Sequence, residues 1–227
     1  VSQANQGTKN KAKIHAVIGA SGTGKSSYIK GELLVDYSRL MIWSPLEKTD
    51  KYAGFCNGVL VRGKITELVK QIKAGTKAIV FEPTGSDADV KRQFDLFCRC
   101  MWEMEGAHVL VEELSGVTMA SWAPPAWKKL STAGRHQGLT IIGTSQRPAS
   151  IDKDFLGNCT EIRCYRVNYD NDAKVMADTL DLQTEYELKG KRTVAVKPLK
   201  QIRTLPNFEF FHKNPDLSVR RGINKSL

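Results

Sequence analysis

The chain is predicted to be an α/β protein with a mainly parallel central sheet flanked by helices, and three observations carry that expectation. Hydrophobic runs of strand length alternate with longer helix-like stretches, the order expected when parallel strands are joined by crossover helices. A glycine-rich loop, Gly19-Ala20-Ser21-Gly22-Thr23-Gly24-Lys25-Ser26, stands between a β-prone run and a stretch free of Gly and Pro. The 227 residues, 41% of them hydrophobic, suffice for one well-buried core and at most one small addition, so a single domain is expected.

A strand is predicted over 13–18, followed by the glycine loop and a helix from Ser26-Ser27-Tyr28-Ile29-Lys30 onward. Leu40-Met41-Ile42-Trp43 reads as a second strand closed by Ser44-Pro45, and 58–61 as a short third one. A helix over 64–74 ends at Gly75, and a buried-type strand over 77–81 is stopped by Glu82-Pro83-Thr84-Gly85. Between 87 and 105, Val90, Phe94, Phe97, Met101 and Met104 recur at spacings of three and four, which predicts a helix with one face on the sheet. His108-Val109-Leu110-Val111 is the next strand. Pro125 suits the first turn of a helix running toward His136 and ending at Gly138. Strands over 139–144, 161–166 and 193–196 and a helix over 170–180 complete the alternation. From Pro206 on there is little periodicity, although Phe208, Phe210 and Phe211 imply that part of the segment docks. The reading is a flexible basic segment over 1–12, the domain over 13–205 and a partly docked tail over 206–227.

No apolar run approaches the roughly 20 residues that span a bilayer, and the first 13 residues are polar and basic, so the expectation is a soluble protein that is not secreted. The five cysteines form no C-x-x-C pair, which favours reduced thiols over zinc or disulfides. Lys and Arg number 34 against 24 Asp and Glu, a formal charge of +10. A polyanionic partner fits that excess, as do general surface charge and basic tails.

The glycine loop matches G-x-x-x-x-G-K-[ST] at every defined position. Its glycines let consecutive backbone N–H groups curl around an anion, Lys25 can reach β- and γ-phosphates, and Ser26 is placed to ligate Mg²⁺. Residues Gly19, Ala20, Ser21, Gly22, Thr23, Gly24, Lys25, Ser26 and Ser27 are therefore the candidate cradle for ATP with its Mg²⁺. A second signal is Val109-Leu110-Val111-Glu112-Glu113, two carboxylates at the end of a buried strand. Glu112 is the candidate to hold Mg²⁺ with Ser26, and Glu113 to polarise the water that attacks the γ-phosphate. The first acid of such a pair is usually Asp, so Glu112 moves the carboxylate outward by one methylene. The competing reading is a strand end where charge merely meets solvent.

The segment Gly134-Arg135-His136-Gln137-Gly138-Leu139-Thr140-Ile141-Ile142-Gly143-Thr144-Ser145-Gln146-Arg147-Pro148 resembles the FtsK–HerA superfamily of DNA-pumping P-loop ATPases, in which a G-R-x-x-G stretch runs into a strand ending T-Q-R-P. The likeness covers about 13–180 and looks closest to the genome-packaging ATPases of tailless icosahedral membrane-containing phages. It implies a RecA-like P-loop NTPase domain and makes Gln146 the polar sensor between γ-phosphate and metal. It also implies that Arg135 is a finger reaching a neighbouring subunit's nucleotide, with Arg147 and Arg163 as rivals and a helix C-terminal cation as the plainer reading of Arg135.

The same resemblance implies double-stranded DNA, a homo-oligomeric ring such as a hexamer, and capsid-vertex or portal proteins as partners, in the host cytoplasm and at the packaging vertex of the virion. Basic candidates for the DNA-lining loops are 48–51, Lys128-Lys129 and 189–192. Other pumps of the superfamily, serving conjugation or filamentous-phage assembly, are the alternatives within it. A small-molecule or nucleotide kinase and a switch GTPase are the alternatives outside it. The kinase would need an arginine-rich lid, which is not recognisable. The GTPase would need N-K-x-D, and Asn224-Lys225-Ser226-Leu227 lacks the Asp.

Overall fold

The computed structural model describes residues 13–190 and 192–224, so the expectation for 1–12 lies outside the described residues. The strands are β1 (Ile14–Ile18), β2 (Leu40–Trp43), β3 (Val59–Arg62), β4 (Ala78–Glu82), β5 (His108–Val111), β6 (Thr140–Ser145), β7 (Glu161–Cys164), β8 (Glu185–Lys189), β9 (Arg192–Val196), β10 (Glu209–Lys213) and β11 (Val219–Ile223). Nine of them form one sheet in the order β11-β10-β7-β1-β6-β5-β2-β4-β3. From β7 to β3 every pairing is parallel, and β10 and β11 extend the sheet antiparallel. The predicted fold class is the observed one.

The parallel centre forms because its strands are apolar on both faces, as a sheet covered by helices on both sides requires. All of β1 and β2 is buried. Alternation sends Met41, Trp43, Ile79, Phe81, Val109 and Val111 to one face and Leu40, Ile42, Val80 and Leu110 to the other. The helices are α1 (Lys25–Tyr28), α2 (Glu47–Asp50), α3 (Tyr52–Phe55), α4 (Ile65–Lys73), α5 (Asp87–Trp102), α6 (Pro125–Ala133), α7 (Lys153–Asn158), α8 (Asp170–Thr179) and α9 (Pro198–Arg203).

Helix α5 starts at a capping box in which Ser86 and Asp89 satisfy each other's backbone N–H groups. Its Phe94, Phe97 and Met101 are fully buried, so the predicted stripe is core. An aromatic chain runs through this face: Trp43 lies 5.6 Å from Phe81 and 5.0 Å from Phe94, and Trp127 lies 5.7 Å from Phe94 and 5.3 Å from Phe155. Truncating one of these rings to Ala should cost about 3–5 kcal/mol. Gly143 is a close-approach glycine, since a Cβ there would lie 2.5 Å from Phe155 and 2.6 Å from Leu114.

Three local expectations shift, and one stretch with no assigned element turns out helical. The helix after the glycine loop is one α turn that widens into a π-helical turn, Ile29–Leu33. The stretch after Ser44-Pro45 is two short helices, α2 and α3, which bring a loop back over the sheet. The 193–196 strand pairs with an unforeseen β8 in a hairpin apart from the main sheet. The residues from Pro206 on, expected as a tail, supply β10 and β11; β11 is an exposed edge, so it carries no apolar alternation to read.

Beneath β10 lies a buried ionic cluster. Glu161 accepts from Lys13 at 2.5 Å and lies 3.7 Å from His15 and 3.5 Å from His212. The hydrogen bond from His212 holds the Glu161 carboxyl down to about 2, and burial lowers His15 to about 4, so the imidazole is neutral in the fold. The thiols of all five cysteines are free.

Candidate active site

The carboxyl ends of β1, β5 and β6 open on one cleft of about 300 Å³, lined by Ser21, Gly22, Gly24, Lys25, Ser26, Ser27, Leu46, Thr49, Asp50, Glu112, Glu113, Gln146 and Phe208. Crevices outside the carboxyl ends of parallel strands are where such sheets bind ligands. The cradle is set by backbone conformation. Gly22 and Gly24 have φ of 73° and 109°, left-handed values that favour glycine. A Cβ on Gly24 would also lie 2.7 Å from Asn224 and 2.9 Å from Phe208. Gly19 and Ala20 sit at the base of the loop, where their carbonyls accept from Lys25 Nζ at 2.7 and 3.0 Å. Thr23 is buried and donates to the Ala20 carbonyl. Burial pushes the Lys25 ammonium below its ordinary value, and Glu113, Glu112 and Asp50 pull it back up. A buried cation beside the free N–H groups of a helix start fits a polyphosphate.

The acid pair faces this cradle. Glu112, 5% exposed, is clamped at both oxygens: Tyr52 donates its hydroxyl proton to Oε1, and Thr144 donates to Oε2 at 2.5 Å. Burial raises the Glu112 carboxyl and these two hydrogen bonds oppose it. The Tyr52 hydroxyl also lies beside Ser26, so both candidate metal ligands meet at one phenol. Glu113 has a left-handed backbone, φ 54°, sparsely populated for a non-glycine residue and typical of functional sites. Its N–H donates to Thr144 Oγ1 at 3.1 Å and its Oε1 accepts from Gln146 Nε2 at 2.9 Å. One hydrogen-bonded chain therefore runs from Gln146 through Glu113, Thr144 and Glu112 to Tyr52. Ser26 and Glu112 offer oxygen donors only, the chemistry that suits a hard cation such as Mg²⁺ keeping water and phosphate ligands.

Lys25, Ser26, Glu112, Glu113 and Gln146 thus come together. Arg135 does not join them. It is exposed on the 3₁₀ turn Gly134–Gln137 before β6, while Gln146 follows β6, and the six residues of that strand separate them by about 20 Å. Arg147 is tied to buried Asp172 at 2.8 Å and lies 4.2 Å over Tyr169. Arg163 is corrected as a finger candidate: it is 3% exposed and sandwiched 3.3 Å from Tyr28 and 3.9 Å from Phe210, so it cannot reach a neighbour.

The basic stretches separate as well. In 48–51, Thr49 and Asp50 line the cleft itself. Lys128 faces Asp154 at 3.6 Å and Lys129 lies 3.9 Å over Trp102. Of 189–192, residue 191 lies outside the described residues, and exposed Gly190 and Arg192 are at the tip of the β8–β9 hairpin.

Sequence reasoning missed Asp50, Tyr52, Thr144 and Phe208. Thr144 carried a signal, because it stands two residues before Gln146 and so shares its face of β6. Asp50 is a third carboxyl on the cleft, raised by burial and by Glu113 and Glu47 and lowered by Lys30 and Lys25.

No family profile matches the chain. Protein P9 of Pseudoalteromonas phage PM2 is 30% identical over 195 residues, covering 83% of each chain. The genome packaging NTPase B204 of Sulfolobus turreted icosahedral virus 2, solved in complex with AMPPCP, superposes with a TM-score of 0.65 at 14% identity, over 92% of this chain and 96% of that one. VirB4 of Thermoanaerobacter pseudethanolicus superposes with a TM-score of 0.56 at 12% identity, over 81% and 88%. No helix among the described residues is long and apolar enough to cross a membrane. The chain, with its nine-stranded, mostly parallel sheet and phosphate-loop pattern, therefore shares the fold of these structures, and, at 30% identity over 83% of each chain, it belongs to the family of Protein P9 of phage PM2.

Proposed function

We propose that the protein is a Mg²⁺-dependent ATPase that drives double-stranded DNA into a preformed viral capsid. The observation that carries the hydrolytic part is the Gln146–Glu113–Thr144–Glu112 chain facing Lys25 across one cleft. The packaging part rests on the relatives, one of which is a genome packaging NTPase.

In this reading Lys25 and the loop amides hold the β- and γ-phosphates of ATP. Gln146 engages one oxygen of Glu113, which leaves the other to take a proton from the water that adds to the terminal phosphorus. Bound Mg²⁺ supplies charge neutralisation on the phosphates, with Ser26 and Glu112 as the residues that would hold it. ADP and inorganic phosphate leave, and Gln146 couples the state of Glu113 to β6. Arg135, exposed and remote from its own cleft, suits a role toward an adjacent subunit in a homo-oligomeric ring. Arg192, exposed at the tip of the β8–β9 hairpin, is the basic residue this reading turns toward DNA. Its contacts would be to DNA phosphates, which do not stall on sequence. Capsid-vertex or portal proteins are the docking partners of this reading.

The test is phosphate release with and without double-stranded DNA. DNA should stimulate it, and mixing Arg135→Ala chains with Lys25→Ala chains, each inactive alone, should restore part of the activity through mixed interfaces. Turnover indifferent to DNA in every assembly state would contradict the motor, and mixtures that stay inactive would remove Arg135 from the neighbour's site.

A further inference from the structure

Resting on the nucleotide reading of the cleft, we propose that Phe208 is the stacking platform for the nucleobase, so that the C-terminal segment is one wall of the binding site. Strand order fixes the orientation. The cradle follows β1, and Gln146, Glu112 and Glu113 follow β6 and β5 on one side of it. Phe208 immediately precedes β10, two strands from β1 on the other side. A triphosphate whose terminal phosphate faces the acids therefore sends its nucleoside toward Phe208. Leu46, the other large apolar residue on the cleft, follows β2 and stands beyond the acids, on the γ-phosphate side.

Phe208 is built into this position. Its N–H donates to the Thr23 carbonyl at 2.9 Å, and its carbonyl accepts from Asn224 N–H at 2.9 Å. Asn224 in turn donates from Nδ2 to the Gly24 carbonyl at 2.9 Å and accepts from Tyr165 at 2.7 Å. The ring lies over Gly24, close enough that any Cβ there would collide with it. Phe208 has φ 68°, an outlier for a bulky residue, yet the residue stays 46% exposed on the cleft wall. A core-packing role would bury that ring. An exposed aromatic face held rigidly beside a phosphate loop is what a flat base needs, and a ring without hydrogen-bonding groups accepts any base by its π-face.

The experiment compares MgATP, MgGTP and inorganic tripolyphosphate binding to the full chain and to Phe208→Leu, Phe208→Tyr and Lys25→Ala. Phe208→Leu should weaken ATP and GTP alike by about tenfold while leaving tripolyphosphate unchanged, and Phe208→Tyr should restore the nucleotides. Equal loss of tripolyphosphate would make Phe208 a prop for the loop, and unchanged ATP would remove the base from its face. Lys25→Ala chains that keep both ATP and tripolyphosphate would instead overturn the underlying cleft reading.

Discussion

The two walls of the cleft are built on opposite principles. The acid wall gathers Glu112, Glu113, Asp50, Gln146, Thr144 and Tyr52 at the ends of β5 and β6 and on the α2–α3 connection. Glu112 and Glu113 are held by side-chain hydrogen bonds, and Thr144 joins the two by donating to Glu112 and accepting the Glu113 N–H. The C-terminal wall has one exposed ring, Phe208, fixed by backbone hydrogen bonds to the loop, above a cluster in which buried His15 and His212 face Glu161. Groups that act on developing charge need fixed orientation in a dry setting, which a network supplies. A group that accepts a flat ligand face needs rigidity and exposure, which a backbone anchor supplies.

That contrast can be broken from either side. The largest effect on stability should come from acid acting on the C-terminal wall's foundation. His15 is neutral in the fold because its ionisation is lowered from 6.5 to about 4, so the unfolded chain binds more protons between those pH values and stability falls as pH falls through them. Glu161, held at about 2, adds a loss in the same direction below pH 4.5. Denaturant titrations should show stability at pH 4 lower by about 3 kcal/mol than near neutrality. A curve that His15→Gln leaves unchanged would remove the imidazole as its cause.

On the acid wall, Tyr52→Phe deletes one clamp on Glu112 together with the hydroxyl beside Ser26, and leaves Lys25 and the loop glycines in place. The Mg²⁺ concentration for half-maximal turnover should rise about tenfold or somewhat more, as for other residues that orient a metal ligand, while metal-free nucleotide binding stays put. An unchanged Mg²⁺ dependence would reduce the tyrosine to packing. The nucleotide-specific loss in Phe208→Leu, about tenfold, is the smallest effect and sharpens the contrast most, because no change on the acid wall should separate ATP from tripolyphosphate.

Much of the acid wall and the cradle was legible because their signals are local: eight consecutive residues for the loop, two adjacent glutamates at a strand end, a glutamine just past another. The sheet was legible for the same reason, since buried parallel strands are continuous apolar runs. Tyr52 was not, because it reaches Glu112 from a connection 60 residues earlier that has no pattern of its own. Phe208 and Asn224 contact Thr23 and Gly24 from the far end of the chain, and β11, an exposed edge, gave no alternation to mark the hairpin. The extra methylene of Glu112 acquires a physical partner only in three dimensions, where Tyr52 and Thr144 take both of its oxygens.

Glu113 acting on water at the end of a bound triphosphate is tested by phosphate release measured alongside retained ATP on wild-type and Glu113→Gln chains. Wild type should turn over, and Glu113→Gln should lose about 10²- to 10⁴-fold in kcat while holding ATP as tightly as before. Turnover that survives the substitution, or ATP binding that disappears with it, would contradict the assignment of the acid wall.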